Sequence, residues 1–243
     1  MINRELRRLA PDLVALQEVV QTGERQSLPR LLNGTGLHGT HQADLQRVAP
    51  PFSDRYGGSA AASRWPHKPV EVLDMRLADA ADVPWATLAF VVDLPGEGEL
   101  LFIAATAAWR LSAEAARERQ AVAIADLDAR HRRTLPTIIA GDFNAGPEAA
   151  SIRYLTGRQS LGGRSVFYQD AWSSAGDGAG HTFASWPGHR DRFDYVFIGS
   201  RDAHPKAHAR VQSATLCFDR PIDGVCLSDH FGVLVDLDIG KDD

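Results

Sequence analysis

The chain has 243 residues, 44% of them hydrophobic and 23% charged, a balance ordinary for a globular protein able to bury a substantial core as one domain or two. A formal net charge of −5 leaves no general basic footprint of the kind that duplex binding draws on through counterion release. No stretch approaches the roughly 20 apolar residues of a membrane span, no apolar signal core follows the basic start, and the two cysteines, Cys217 and Cys226, are too few for a disulfide framework and wrongly spaced for a zinc ribbon.

Cytoplasmic residence is therefore the expectation, with both cysteines as small core or loop residues. Asn3 is expected to cap a first helix that runs to Leu9 and is ended by Pro11. The apolar run Leu13-Val14-Ala15-Leu16 reads as a strand leading to Glu18, and residues 24–32 as a second helix. Residues 34–58 are polar and contain Pro50-Pro51, which predicts an irregular excursion over the surface. Strands are predicted at 58–63, 70–77, 85–94 and 99–106, the last two forming a hairpin around Pro95-Gly96-Glu97-Gly98.

A helix is predicted over 112–132, where arginines alternate with Glu114, Glu118, Asp126 and Asp128 as on a solvated face. It leads into the strand Pro136-Thr137-Ile138-Ile139-Ala140, after which come Gly141-Asp142-Phe143-Asn144. A short helix at 147–156, a loop at 157–165 and strands at 192–198, 209–218 and 232–237 complete the chain. Neither a linker nor an internal repeat is visible, so residues 1–243 are expected to form a single domain.

Short apolar runs bounded by turn residues read as buried strands, and polar groups at the ends of several such strands converge on one rim of a sheet. Leu16-Gln17-Glu18, Ser63-Arg64-Trp65-Pro66, Gly141-Asp142-Phe143-Asn144 with Pro147-Glu148, Arg192-Phe193-Asp194-Tyr195, and Ser228-Asp229-His230-Phe231-Gly232-Val233 follow one another along nearly the whole chain. In that order they resemble the endonuclease/exonuclease/phosphatase superfamily, the DNase I-like metal-dependent phosphoesterases. The resemblance implies an α+β fold, a four-layer α/β/β/α sandwich with its site at one end, and hydrolysis of phosphoesters with Mg²⁺ or Mn²⁺.

For the individual positions it implies a division of labour. Glu18 is the first candidate for a metal ligand, with Asp229 beside the same ion, and a hard cation with few protein carboxylates suits Mg²⁺. Asp142 would orient water and take its proton while Asn144, two residues on and on the same strand face, donates to a phosphate oxygen. His230 would bind phosphate as a cation, oriented and made more basic by Asp194. The bland alternatives are that Asp142, Ser228 and Asp229 only cap turns. Asp170 matches a family position too, with a structural hydrogen bond as its other reading, and His181 and His189 read as loop histidines. Arg158, in a polar segment near the rim, is a candidate contact for substrate.

Two departures qualify the resemblance. Relatives carry a histidine or tyrosine after the strand that here ends Ala104-Ala105-Thr106-Ala107-Ala108-Trp109. Thr106 can donate a single hydrogen bond but cannot carry charge. Relatives also begin with a further strand bearing an asparagine, whereas 17 residues precede Glu18. The expectation is a fragment or a misplaced start, the alternative a domain that lacks the strand and leaves an unpaired edge. In either case restored upstream residues are expected to raise stability and Mg²⁺ affinity. Two functional classes follow: a metal-dependent phosphoester hydrolase, with a small molecule or lipid headgroup favoured over long nucleic acid, or a catalytically impaired phosphoester-binding module.

Overall fold

The computed structural model describes residues 1–45, 57–78, 85–183 and 190–242. In chain order the elements are α1 (Ile2–Leu9), β1 (Leu13–Val19), α2 (Ser27–Leu32), β2 (His38–His41), α3 (Gln42–Leu45), β3 (Gly58–Ser63), β4 (His67–Asp74), a 3₁₀ turn at Met75–Ala78, β5 (Ala86–Leu94) and β6 (Gly98–Thr106). There follow α4 (Glu114–His131), β7 (Ile138–Asp142), α5 (Ala150–Leu155), β8 (Tyr168–Asp170), α6 (Ala171–Ala175), β9 (Asp194–Gly199), β10 (Ala207–Cys217) and β11 (Gly232–Lys241).

Period-two alternation builds the layers. A six-stranded sheet has the order β4-β5-β6-β7-β9-β8. On one of its faces Val91, Leu101, Ile103, Ile139 and Phe197 pack with Ile124 and Leu127 of α4 and with Ile152 and Leu155 of α5. The alternate residues Phe90, Val92, Phe102, Ile138 and Ile198 face Ala15 of β1, Ala61 of β3, Val211 of β10 and Val235 of β11. The far side of β1 and β3 packs Val14, Leu16 and Ala60 against Leu28 and Leu32 of α2. The result is the expected four-layer α/β/β/α sandwich.

The second β layer has two parts, β1-β3-β2 and β10-β11. Among the described residues β1 pairs only with β3 and β11 only with β10. Both strands line a cavity of about 540 Å³ whose walls include Leu6, Leu100 and Phe102 and which reaches Asp194 and His230 at one end. β3, with a neighbour on each side, is buried along its whole length, whereas β1 is only half-buried from Leu13 to Gln17.

Several boundaries differ from the sequence expectation. Asn3 lies inside α1, whose N-cap is Met1, and its side-chain amide instead donates to the carbonyls of Leu31 and Asn33, tying α1 to α2. α2 starts at Ser27 because Thr22 and Arg25 close a tight turn ahead of it. Part of the predicted excursion is ordered as β2, which pairs with β3 from His38↔Ser63 to His41↔Ala60; residues 46–56 lie outside the described residues. β4 begins three residues before the predicted 70, where His67 bonds Ser63 and Thr40. Arg117 of α4 is not on a solvated face: it is buried and donates to the carbonyls of Ala108, Arg110 and Leu111. No described helix is long and apolar enough to cross a membrane.

Candidate active site

The register of the large sheet brings the first acidic pair together. β6 and β7 run parallel with Thr106 opposite Asp142, and β7 and β9 run antiparallel with Asp142 opposite Asp194. Gly141 permits this approach: a Cβ on it would lie 1.9 Å from the Ala105 carbonyl oxygen, and its φ of 152° is one that glycine tolerates. β11 starts at Gly232, one residue after the Ser228-Asp229-His230 segment, where Ser228 Oγ accepts from the His230 amide at 3.1 Å. His230 Nδ1 is 2.8 Å from Asp194 Oδ2.

Asp142, Asp194 and His230 each place a ligand atom within 4.8 Å of the others. Glu18 and Asp229 belong to the same electrostatic neighbourhood. Glu18 is exposed near the end of β1, yet desolvation by the protein around it, and then Asp229, raise its carboxyl, with His230 opposing. Asp142 is held well above the usual carboxylate range by burial, then by Asp194, with Glu18 adding to the rise and His230 opposing it. The five charged side chains singled out in the sequence thus converge at one end of the sandwich. The capping expected of Asp142 is also present, since Asn144 N–H donates to its Oδ1 at 2.8 Å as in an Asx turn.

Three candidates sit differently from the expectation. Asn144 does not share a strand face with Asp142, because β7 ends at Asp142 and Asn144 adopts a left-handed backbone (φ 50). Its amide folds back to donate to Asp142 Oδ2 at 2.8 Å and to the Ala107 carbonyl at 3.2 Å. Thr106 is 1% exposed and its hydroxyl lies 3.0 Å from Ser59 Oγ, so it presents no surface to a substrate. Arg158 is exposed, and its guanidinium reaches Glu148 and the Pro147 carbonyl rather than the acidic cluster. Asp170 takes its structural reading: it pairs with buried Arg192 and accepts from the first amides of α6. His181 is not in the ligand-atom cluster, and His189 lies outside the described residues.

Thr182 was not legible as part of the site. Buried completely, its hydroxyl accepts from the amides of Phe193 (3.0 Å) and Asp194 (3.1 Å), and its carbonyl accepts from Phe231 N–H at 2.7 Å. It thereby fixes both halves of the Asp194–His230 pair. Phe183 and Phe193 lie beside the imidazole at centroid distances of 5.0 and 6.5 Å. No spacing rule marks a lone threonine for this role.

Burial by itself would lower the His230 pKa, but the Asp194 hydrogen bond and the charges of Asp194, Asp142 and Asp229 outweigh it and raise the pKa to about 9. A group whose folded pKa exceeds its unfolded value, roughly 6.5 for histidine, stabilises the fold fully below the unfolded pKa and loses that contribution as pH rises through the folded one. In metal-free protein, the melting-temperature advantage over His230→Gln is therefore expected to be greatest below about pH 6.5 and to decline towards pH 9 and beyond. An advantage that stayed flat across this window would show that the pair is not charged.

Comparison with known proteins agrees with this architecture. Solved structures similar to the chain include an endonuclease/exonuclease/phosphatase from Beutenbergia cavernae DSM 12333, at 22% identity and a TM-score of 0.68, with 98% of this chain and 65% of that chain covered. A humanized D. rerio TDP2 has 19% identity and a TM-score of 0.69, covering 98% of this chain and 89% of that one. D. rerio TDP2 complexed with a single-strand DNA product has 18% identity and a TM-score of 0.68, covering 98% and 91%. At these identities the likeness speaks for the fold. No curated protein matches the sequence. The model of the Endonuclease/Exonuclease/phosphatase family matches residues 2–230, which include every polar residue of the cluster, and the chain belongs to that family.

Proposed function

We propose that the protein is a divalent-metal-dependent phosphoester hydrolase, with residues 1–243 as one catalytic domain. The observation that carries this reading is the convergence of Glu18, Asp142, Asp194 and Asp229 around His230, with two of the carboxyls raised by burial and then by their acidic neighbours. Such crowding disfavours full ionisation and is relieved by a hard cation, and carboxylate oxygens suit Mg²⁺ or Mn²⁺. Glu18 and Asp229 would hold the ion. When bound, it neutralises phosphate oxygens and polarises the phosphorus centre.

The remaining steps belong to the chain's own groups. Asp142 accepts the proton of the attacking water, its elevated pKa bringing it closer to neutrality as a base. Asn144 N–H and Nδ2 hold both carboxylate oxygens of Asp142 in place. His230, protonated through Asp194, donates to a phosphate oxygen as negative charge grows in the transition state. Thr106, buried against Ser59, takes no part. That missing donor is the observation favouring the second reading, an impaired phosphoester-binding module, because loss of one transition-state donor costs about a hundred- to a thousandfold.

A small phosphoester or lipid headgroup is the favoured substrate. The net charge is −5, and Arg130, Arg132, Arg133 and Arg164 are engaged with Glu71, Asp128, Glu99 and Asp126 respectively, so they form no free phosphate track. The D. rerio structure with a single-strand DNA product makes an oligonucleotide the necessary comparison. Hydrolysis of bis-(p-nitrophenyl) phosphate, p-nitrophenyl phosphate and a short single-stranded DNA should be followed with Mg²⁺, Mn²⁺ and EDTA. Metal-dependent turnover of a small ester faster than of DNA is expected. Folded protein that turns over none of them would favour the binding module.

A further inference from the structure

The Glu18 carboxylate reaches the site because β1 breaks its own alternation. Leu16 pairs with Ala60 and Val19 with Gly58, so β1 carries one residue more than β3 between these pairs, a β-bulge. Val14 and Leu16 pack on the α2 side of the sheet, and strict period two would send Glu18 into the same apolar layer. Val19 occupies that layer instead, and Glu18 takes a left-handed backbone with φ 55. A residue with a Cβ disfavours this conformation, which persists only where its surroundings over-determine it.

Three neighbours do so. His41 at the end of β2 is 3% exposed, and its Nε2 lies 2.8 Å from the Val19 carbonyl oxygen. Its Nδ1 accepts the Ala43 amide at 3.0 Å, which leaves the proton on Nε2 to donate to Val19. Burial lowers the His41 pKa, in keeping with a neutral ring. Gly57, itself at φ 70, lies against the peptide after Glu18, where a Cβ would come within 2.5 Å of the Glu18 carbonyl carbon. Gln42 accepts the amides of Ser59 and Ala86 through Oε1, and Gly58 fits beneath Gln42 and His41, at 2.8 Å from each for an added Cβ.

We infer that His41 is a positioning residue for Glu18: its hydrogen bond to the Val19 carbonyl, backed by Gly57 and Gln42, keeps the bulge formed and the carboxylate turned to Asp229. The inference rests on Glu18 being the metal ligand of the proposed hydrolase. Mn²⁺ binding to the full chain, measured by isothermal titration calorimetry in wild type, Glu18→Gln, His41→Leu, His41→Gln and Gly57→Ala, tests it. His41→Leu is expected to bind Mn²⁺ about ten- to a hundredfold more weakly. His41→Gln, whose amide can donate to the same carbonyl, is expected to recover most of the affinity.

If Glu18→Gln binds as tightly as wild type, the metal reading itself fails. If Glu18→Gln loses affinity while His41→Leu retains it, the metal reading stands and the positioning role is wrong. Equal losses in His41→Leu and His41→Gln would overturn it as well, since the donor would then not be what matters. Should His41→Leu not fold, Gly57→Ala decides: it leaves His41 intact but crowds the Glu18 peptide. Weakened Mn²⁺ binding there supports the inference, and wild-type affinity overturns it.

Discussion

Replacing Asp142 by asparagine is expected to lower kcat on a metal-supported phosphoester by about a hundred- to ten-thousandfold, the usual range for a positioned general base, while the melting temperature stays level or rises. The two readouts move apart for a physical reason. Asparagine is nearly isosteric and keeps an acceptor for the Asn144 main-chain N–H, so the turn after β7 survives although the bond from Asn144 Nδ2 is lost. The substitution also removes a carboxyl that burial, and then the charges of Asp194 and Glu18, already hold towards its neutral form, and losing such a charge does not destabilise the fold. A residue that only capped the turn would give the opposite pattern, with kcat nearly intact. Kinetics under saturating Mg²⁺ together with thermal melts of both proteins decide between them. His230→Ala should lower kcat comparably to loss of one transition-state donor, about a hundred- to a thousandfold.

Asp170→Ala is expected to be the most damaging single change to stability outside the apolar core. Arg192 Nη1 and Nη2 lie 2.8 and 2.7 Å from the two Asp170 oxygens, with side-chain exposures of 5% and 6%. Removing one partner of such a buried pair leaves an uncompensated charge and costs about 3–5 kcal/mol. Asp170 also accepts from Trp172 and Ser173 N–H at the start of α6, and a lost N-cap adds about 1 kcal/mol. For a chain of this size each kcal/mol corresponds to about 2–4 °C, so a fall of roughly 8–24 °C should appear in a thermal melt. Arg192→Met on the Asp170→Ala background should recover part of it by removing the orphaned cation. A drop confined to a few degrees, with no recovery in the double variant, would show that water reaches the pair.

The damage would extend to the site. Arg192 lies two residues before Asp194, and its guanidinium stacks over Tyr195 at 4.6 Å from the ring centroid. The carbonyl of Phe193, between Arg192 and Asp194, accepts from Phe143 N–H at 2.8 Å. Asp170 thus supports the strand that carries Asp194 without itself entering the cluster.

The sequence alone determined most of the strands, β2 and β8 excepted. The apolar runs at 85–94 and 99–106, the turn at 95–98 between them, and the run before Asp142 are local patterns that mark a strand without its partners. The ordered motifs identified the polar residues that the structure gathers, and the family whose model matches residues 2–230. What only the tertiary structure decided depends on pairings distant in sequence. Asp194 and His230 are 36 residues apart, and Asp142 faces Asp194 through the register of β7 with β9. The bulge that frees Glu18 depends on His41 and Gly57 from separate segments, and the burial of Thr106 on Ser59, 47 residues upstream. Asn144 turns back on Asp142 because its backbone is left-handed beyond the strand end. Local patterns carry no information about such contacts, since a hydroxyl or imidazole finds its hydrogen-bond partner only after the sheets have packed.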